Sequence, residues 1–292
     1  MQKKRYIYHT MAATTTVVWG TTMVSSKVLL AEGMTPAQIL LFRFLLGYAL
    51  LWMMYPRTHR IRSWRDELIF VGMGLSGGSL YFLAENTALI YTQATNVSLI
   101  CASAPLITAF FSCLFLHKKL PRPFWVGSAV AMTGVSLIIL NGNFILKLNP
   151  SGDLLAFVAI CCWSIYCLLL KRLRFHYHSL YITRNLFFYG LLTLMPYFFL
   201  YEPLDISLEV LRLPVVWGNL LFLGVVASAF CYVMWNMAMK EIGVVTTNCY
   251  LYFSPPVTLI TAAIVLPERI TVFILFGAVL ILTGLWIAGR RR

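Results

Sequence analysis

Charge is scarce in this chain. Only 11% of its 292 residues are charged, and just ten are Asp or Glu. With 60% hydrophobic residues and a mean hydropathy of +0.80, the composition excludes a soluble globular domain. No polar stretch is long enough to form a second, soluble one. Asp66, Asp153 and Asp205 fall at helix ends or in loops, so the paired membrane aspartates of an intramembrane protease are missing. His9, His59, His117, His176 and His178 lie at the ends of apolar runs, away from any membrane serine nucleophile. No phosphate-binding Walker sequence occurs. The seven cysteines (Cys101, Cys113, Cys161, Cys162, Cys167, Cys231, Cys249) lack the paired spacing and nearby His of a zinc site. They read as small packing residues. No enzyme, metal or cofactor is expected.

What the chain has instead is apolar length. Runs long enough to cross a bilayer as helices lie at about 10–30, 36–55, 68–91, 94–116, 122–141, 153–171, 179–201, 214–237, 244–266 and 270–288. The first run is too long for the core of a signal peptide and reads as an uncleaved helix. The formal charge of +13 would point to nucleic acid in a soluble protein, but its distribution points to membrane orientation. With the N-terminus inside, the inner segments hold Lys3, Lys4 and Arg5; Arg57, Arg60, Arg62 and Arg65; Lys118, Lys119 and Arg122; Lys171, Arg172 and Arg174; Lys240; and Arg290, Arg291 and Arg292. The outer segments hold only Lys147, Arg212 and Arg269. The expectation is a multi-pass inner-membrane protein with both termini cytoplasmic. Its partners are a small-molecule substrate and membrane lipid, with no nucleic acid.

The strongest signal is internal. Residues 72–140 and 222–290 align without a gap at an offset of 150. Gly74 matches Gly224, Asn86 matches Asn236, and Ala88 matches Ala238. Pro105 matches Pro255, Gly127 matches Gly277, and Thr133-Gly134 matches Thr283-Gly284. Upstream, Trp19 and Lys27 match Trp163 and Lys171 with the same eight-residue spacing. Each half, 1–146 and 147–292, then holds five helices. An odd number of crossings turns equivalent helices upside down. The expected fold is all-α and integral to the membrane, ten transmembrane helices as two inverted five-helix repeats. Such a chain contains its own pseudo-dimer, so a monomer suffices.

These features resemble the EamA-type permeases of the drug/metabolite transporter superfamily. The resemblance rests on the five-plus-five repeat, a Trp in helices one and six, and Pro in helices four and nine. It also rests on the closing run Leu266-Pro267-Glu268-Arg269-Ile270 before Gly277 and Thr283-Gly284. One departure is Lys118, which stands where the second copy has Glu268. The resemblance implies a permease for small metabolites such as amino acids, more often an exporter than an importer. In the resembled fold Trp19, Tyr81, Trp163, Tyr232 and Tyr250 lie on helices that face the centre, where they stack on substrate or pack.

A charge at membrane depth costs at least about 2.5–3.5 kcal/mol and needs a reason. Glu85 is the one acidic residue well inside an apolar run. It is a candidate for proton coupling, for a substrate amino group, or for an ion pair with Arg43 or Lys27. Arg43 pairs with it or meets a substrate carboxylate. Lys27 and Arg184 are expected to snorkel to the outer and inner surfaces. Asn86, Asn236 and Asn248 are cavity groups or interhelical links. Pro105 and Pro255, read as mid-helix, are hinges or static bends. The functional expectation is a secondary transporter working by alternating access between the repeats. The alternative is a lipid-carrier flippase or scramblase on the same fold, which would want several cavity cations; only Arg43 and Lys27 qualify.

Overall fold

The computed structural model describes residues 2–57, 63–91, 97, 100–117, 119–140, 149–173, 177–202, 207–265 and 272–289. Lys118 and the closing run 266–270 lie outside the described residues. Among those described there is no strand. The chain forms helices α1 (Gln2–Ala31), α2 (Pro36–Met54), α3 (Trp64–Tyr91), α4 (Ala104–Leu116) and α5 (Arg122–Leu140). There follow α6 (Pro150–Leu173), α7 (Ser179–Leu200), α8 (Pro214–Ile242), α9 and α10 (Val272–Gly289). Helix α9 is composite: Val244–Asn248, a tighter 3-10 stretch Cys249–Phe253, then Ser254–Val265.

Four of these, α2, α3, α6 and α8, are long and apolar enough to cross a membrane. Large apolar side chains such as Phe199, Ile264, Phe276 and Trp286 are exposed, as a lipid-facing surface requires. The helix starts follow from sequence. Thr35 closes a capping box with Gln38 ahead of Pro36. Ser63 caps α3, with Asp66 and Glu67 in its first turn.

Equivalent helices pack on each other through exchanged contacts. In α5 and α10, a Cβ added to Gly127 would lie 2.4 Å from the Gly284 carbonyl, and one added to Gly284 would lie 2.5 Å from the Gly127 carbonyl. The offset of 150 maps Gly127–Gly284 onto Gly277–Gly134, and Gly134 does sit against the Gly277 carbonyl. The two helices therefore run antiparallel. Helices α2 and α7 repeat the pattern: Gly47 is filled by the Phe187 ring, Gly190 by the Phe44 ring, and the two rings lie 4.7 Å apart. Further along, Tyr48 meets Phe188 and Tyr55 stacks on His178, which fixes these helices as antiparallel too.

Both ends of the α2–α7 column are tied. Thr35 hydrogen-bonds the Glu202 carboxyl just past α7. At the other end Arg184 departs from the sequence expectation. It does not snorkel but is buried, donating to the Tyr55 carbonyl at 2.6 Å and the Arg57 carbonyl at 3.2 Å. Those carbonyls lie at the end of α2 and just beyond it, where the helical ladder stops and a guanidinium fork can serve as donor.

One proline corrects the sequence reading: Pro105 is not mid-helix but the second residue of α4, where a missing N–H costs little. Pro255 lies midway along the composite α9, as the second residue of its last segment. The chain breaks at Ser103 before one and tightens into the 3-10 stretch before the other.

Gly127→Leu is expected to lower the thermal stability of the purified protein by the equivalent of about 1–3 kcal/mol, because the colliding atoms are backbone. Gly218→Ala, with open space around its Cβ, should change the melting temperature little. Equal melting temperatures for the two variants would contradict this account of the α5–α10 contact.

Candidate functional site

Helices α3 and α8 each contain a wide, π-helical turn, at Leu75–Ser79 and Phe222–Phe230. The offset of 150 carries one onto the other. A π turn disturbs the regular ladder and frees backbone carbonyls. The carbonyls of Gly77 and Ala227 are equivalent, and each takes an aromatic donor. Tyr232 OH donates to Gly77 O at 3.3 Å, and Trp19 Nε1 donates to Ala227 O at 2.8 Å.

These aromatics wall a central cavity of about 60 Å³. Equivalent residues of the two halves line it in pairs: Trp19 and Trp163, Phe82 and Tyr232, Cys101 and Leu251, and Ala104 and Ser254. Trp19 meets Trp163 edge-on at 5.4 Å and Tyr232 at 5.3 Å, while Tyr81 lies 5.5 Å from Trp163. The breaks before Pro105 and Pro255 supply Cys101, Ala104, Leu251 and Ser254. Backbone irregularity at membrane depth is tolerated where it is buried or lines a cavity.

The charged groups are asymmetric. Arg43 is buried, donates from Nε to Ser228 Oγ at 2.6 Å, and lies 4.2 Å above the Phe82 ring. Tyr81 OH donates to Glu85 Oε1 at 2.6 Å, with the Cys101 thiol 3.8 Å from the same oxygen. Arg43 and Glu85 share the cavity wall, yet among the described residues no ion pair joins them. Helix α8 has Trp235 at the position of Glu85, packed 4.9 Å from Trp19.

Of the site residues expected from sequence, Trp19, Tyr81, Glu85, Trp163, Tyr232 and Arg43 line this cavity. Others do not. Asn236 is buried, accepting from Tyr166 OH at 2.5 Å and donating to Thr183 at 2.8 Å. Asn248 accepts from Trp163 Nε1 at 2.8 Å and donates to the Val244 carbonyl, so it orients a cavity ring without reaching the cavity. Asn86 is buried off the cavity wall. Tyr250 pairs its hydroxyl with His9 Nδ1 at 2.8 Å. Lys27 is exposed, lining a separate open groove with Leu30, Thr35 and Leu89. Phe82, Ala104, Ile160, Leu251 and Ser254 went unnamed in the sequence, and Cys101 was read there only as a packing residue. The offset of 150 could have found Phe82 from Tyr232, whereas Cys101 with Leu251 and Ala104 with Ser254 match only each other.

The comparisons with known proteins decide the family. The family model described as "EamA-like transporter family" matches residues 7–140 and again residues 150–290. The chain belongs to that family. It is similar to an "Uncharacterized transporter" of Archaeoglobus fulgidus, 27% identical over 97% of this chain and 98% of the relative. It is also similar to the "Aromatic amino acid exporter YddG" of Salmonella typhimurium, 26% identical over 76% of this chain and 80% of that protein. A "Probable terminal-alkyne amino-acid exporter" of Streptantibioticus cattleyicolor is 26% identical over 78% and 74%. A solved structure titled only "Crystal structure of protein" shares the fold, with a TM-score of 0.75, 16% identity and 95% of each chain covered. The chain is a multi-pass membrane transporter and not an enzyme.

Replacing Asn248 with Leu strands the buried Trp163 N–H, and the expected loss of stability is about 1–3 kcal/mol. Tyr250→Phe removes a hydroxyl that is only part-buried and should cost less. Thermal unfolding of both variants checks the order, and a reversed order would contradict the assignment.

Proposed function

We propose that the chain exports amino acids and related small metabolites across the inner membrane by alternating access between two inverted five-helix repeats, 1–146 and 147–292. Ten crossings with both termini cytoplasmic follow from that arrangement and from the distribution of Lys and Arg. The observation that carries the reading is the central cavity, walled by equivalent residues from each half and closed by aromatic rings. A scaffold built from exchanged contacts has a mirror conformation of similar packing, so opening to either side needs no new class of contact. The antiparallel pairing of α5 with α10 and of α2 with α7 supports the inversion. The family and the two relatives named as amino-acid exporters support the substrate class and direction.

At about 60 Å³ the cavity holds only about four waters. It is the closed form of a site that must widen to take a metabolite. A lipid-phosphate carrier is disfavoured, because Arg43 is offset by Glu85 in the same cavity and Lys27 lies outside it.

Counterflow in proteoliposomes tests the proposal. Vesicles preloaded with unlabelled phenylalanine, leucine or methionine should take up the labelled amino acid at least about tenfold above protein-free vesicles. Uptake of another metabolite class with no amino-acid counterflow would end the amino-acid reading. Movement of a lipid analogue between leaflets in its place would establish the flippase alternative.

A further inference from the structure

Both charged groups of the central cavity come from the first half of the chain, and each is held by neutral neighbours. Arg43 is 3% exposed. Its Nε is taken by Ser228 and one face by Phe82, while its two terminal nitrogens have no hydrogen-bond partner among the described residues. Glu85 is similar. Its Oε1 receives the Tyr81 hydroxyl and faces the Cys101 thiol, while its Oε2 has no partner among the described residues. A guanidinium and a carboxyl thus share one small cavity with no hydrogen bond between them. Buried charges that do not hydrogen-bond each other directly are costly, and a group bringing both complementary charges would offset both costs at once. The second half adds a mainly apolar stretch to the same wall, Ile160, Trp163 and Leu251, along with Tyr232 and Ser254.

We propose that this cavity is a clamp for a zwitterion with an apolar or aromatic side chain. The ligand's carboxylate meets the free terminal nitrogens of Arg43, a fork suited to two parallel hydrogen bonds. Its ammonium meets the open oxygen of Glu85. Its side chain lies against Ile160, Trp163 and Leu251. This rests on the reading of the cavity as the transport site and adds an orientation to it: the polar end on α2 and α3, the apolar end on α6 and α9. A simple amine or a simple carboxylate of the same size leaves one of the two charges unpaired and binds more weakly.

The test is binding to the full-length protein in nanodiscs, titrated with L-phenylalanine, phenethylamine and 3-phenylpropanoate. Tryptophan fluorescence reports occupancy, because Trp19 and Trp163 are in the wall. The wild-type protein should bind phenylalanine at least about tenfold tighter than either analogue. Arg43→Gln should erase the advantage over phenethylamine, and Glu85→Gln the advantage over 3-phenylpropanoate. Equal affinity of the three ligands for wild type, a comparison that needs no variant to fold, overturns the clamp. So does a uniform weakening of all three ligands by either substitution in a variant that keeps the wild-type melting temperature. Counterflow of some other metabolite with no binding of these three sinks the clamp and leaves the transporter standing. The expected binding pattern without counterflow leaves the clamp and sinks the transport reading of this cavity.

Discussion

Helices in lipid gain nothing by hiding apolar surface from one another, because the lipid is as apolar as they are. What holds them is how closely their backbones can approach. In this chain much of that approach is made at glycine, and in two columns it joins equivalent helices of the two halves. Gly127 and Gly284 each lie on the other's carbonyl, and Gly47 and Gly190 each receive the other helix's phenylalanine. A duplicated sequence makes such contacts in pairs: any fit between position a of one copy and position b of the other is made again as b against a. The positions of the aromatic rings and of the cavity depend on these two columns, α2 with α7 and α5 with α10.

The same economy governs the cavity. Two equivalent π turns free two equivalent carbonyls, Gly77 and Ala227, and each fixes an indole or phenol of the wall. The wall aromatics are therefore oriented by backbone as well as by neighbours. Thr108 and Thr258, also equivalent, bind Ser164 and the Gly20 carbonyl respectively, linking α4 to α6 and α9 to α1. Each link joins helices of opposite halves, so any movement of one half against the other has to rearrange these hydrogen bonds along with the aromatic contacts.

Much of this was legible in the sequence, and what was not has physical causes. Duplication, apolar length and the matched tryptophans need no structure, since they are written as periodicity and spacing. The asparagines were not decidable, because an amide donates and accepts equally well to a ligand or a neighbouring helix. Asn236 and Asn248 turned out to serve the hydroxyl of Tyr166 and the indole of Trp163. Arg184 was misjudged because snorkelling is a rule about reach, and the carbonyls of Tyr55 and Arg57, at and beyond the end of α2, lie within its reach inside the protein. Pro105 was placed mid-helix because an apolar run does not reveal where its hydrogen-bond ladder stops. The π turns left no signal beyond the Gly77-Gly78 pair in the first copy.

A symmetric scaffold with an asymmetric charge distribution has a further consequence. If the two open forms exchange the packing of the halves, their apolar contacts nearly cancel in the energy difference between them. The charges do not cancel. Arg43 and Glu85 have no counterparts at the matching positions of α7 and α8, where the chain has apolar and aromatic residues such as Trp235. The balance between the forms then depends on how well those two groups are solvated or paired in each. A ligand that completes both charges removes most of that difference, whereas one that completes a single charge does not. On the proposed clamp and the proposed rocking motion, Arg43 and Glu85 set both which ligand is held and how freely the loaded protein turns over.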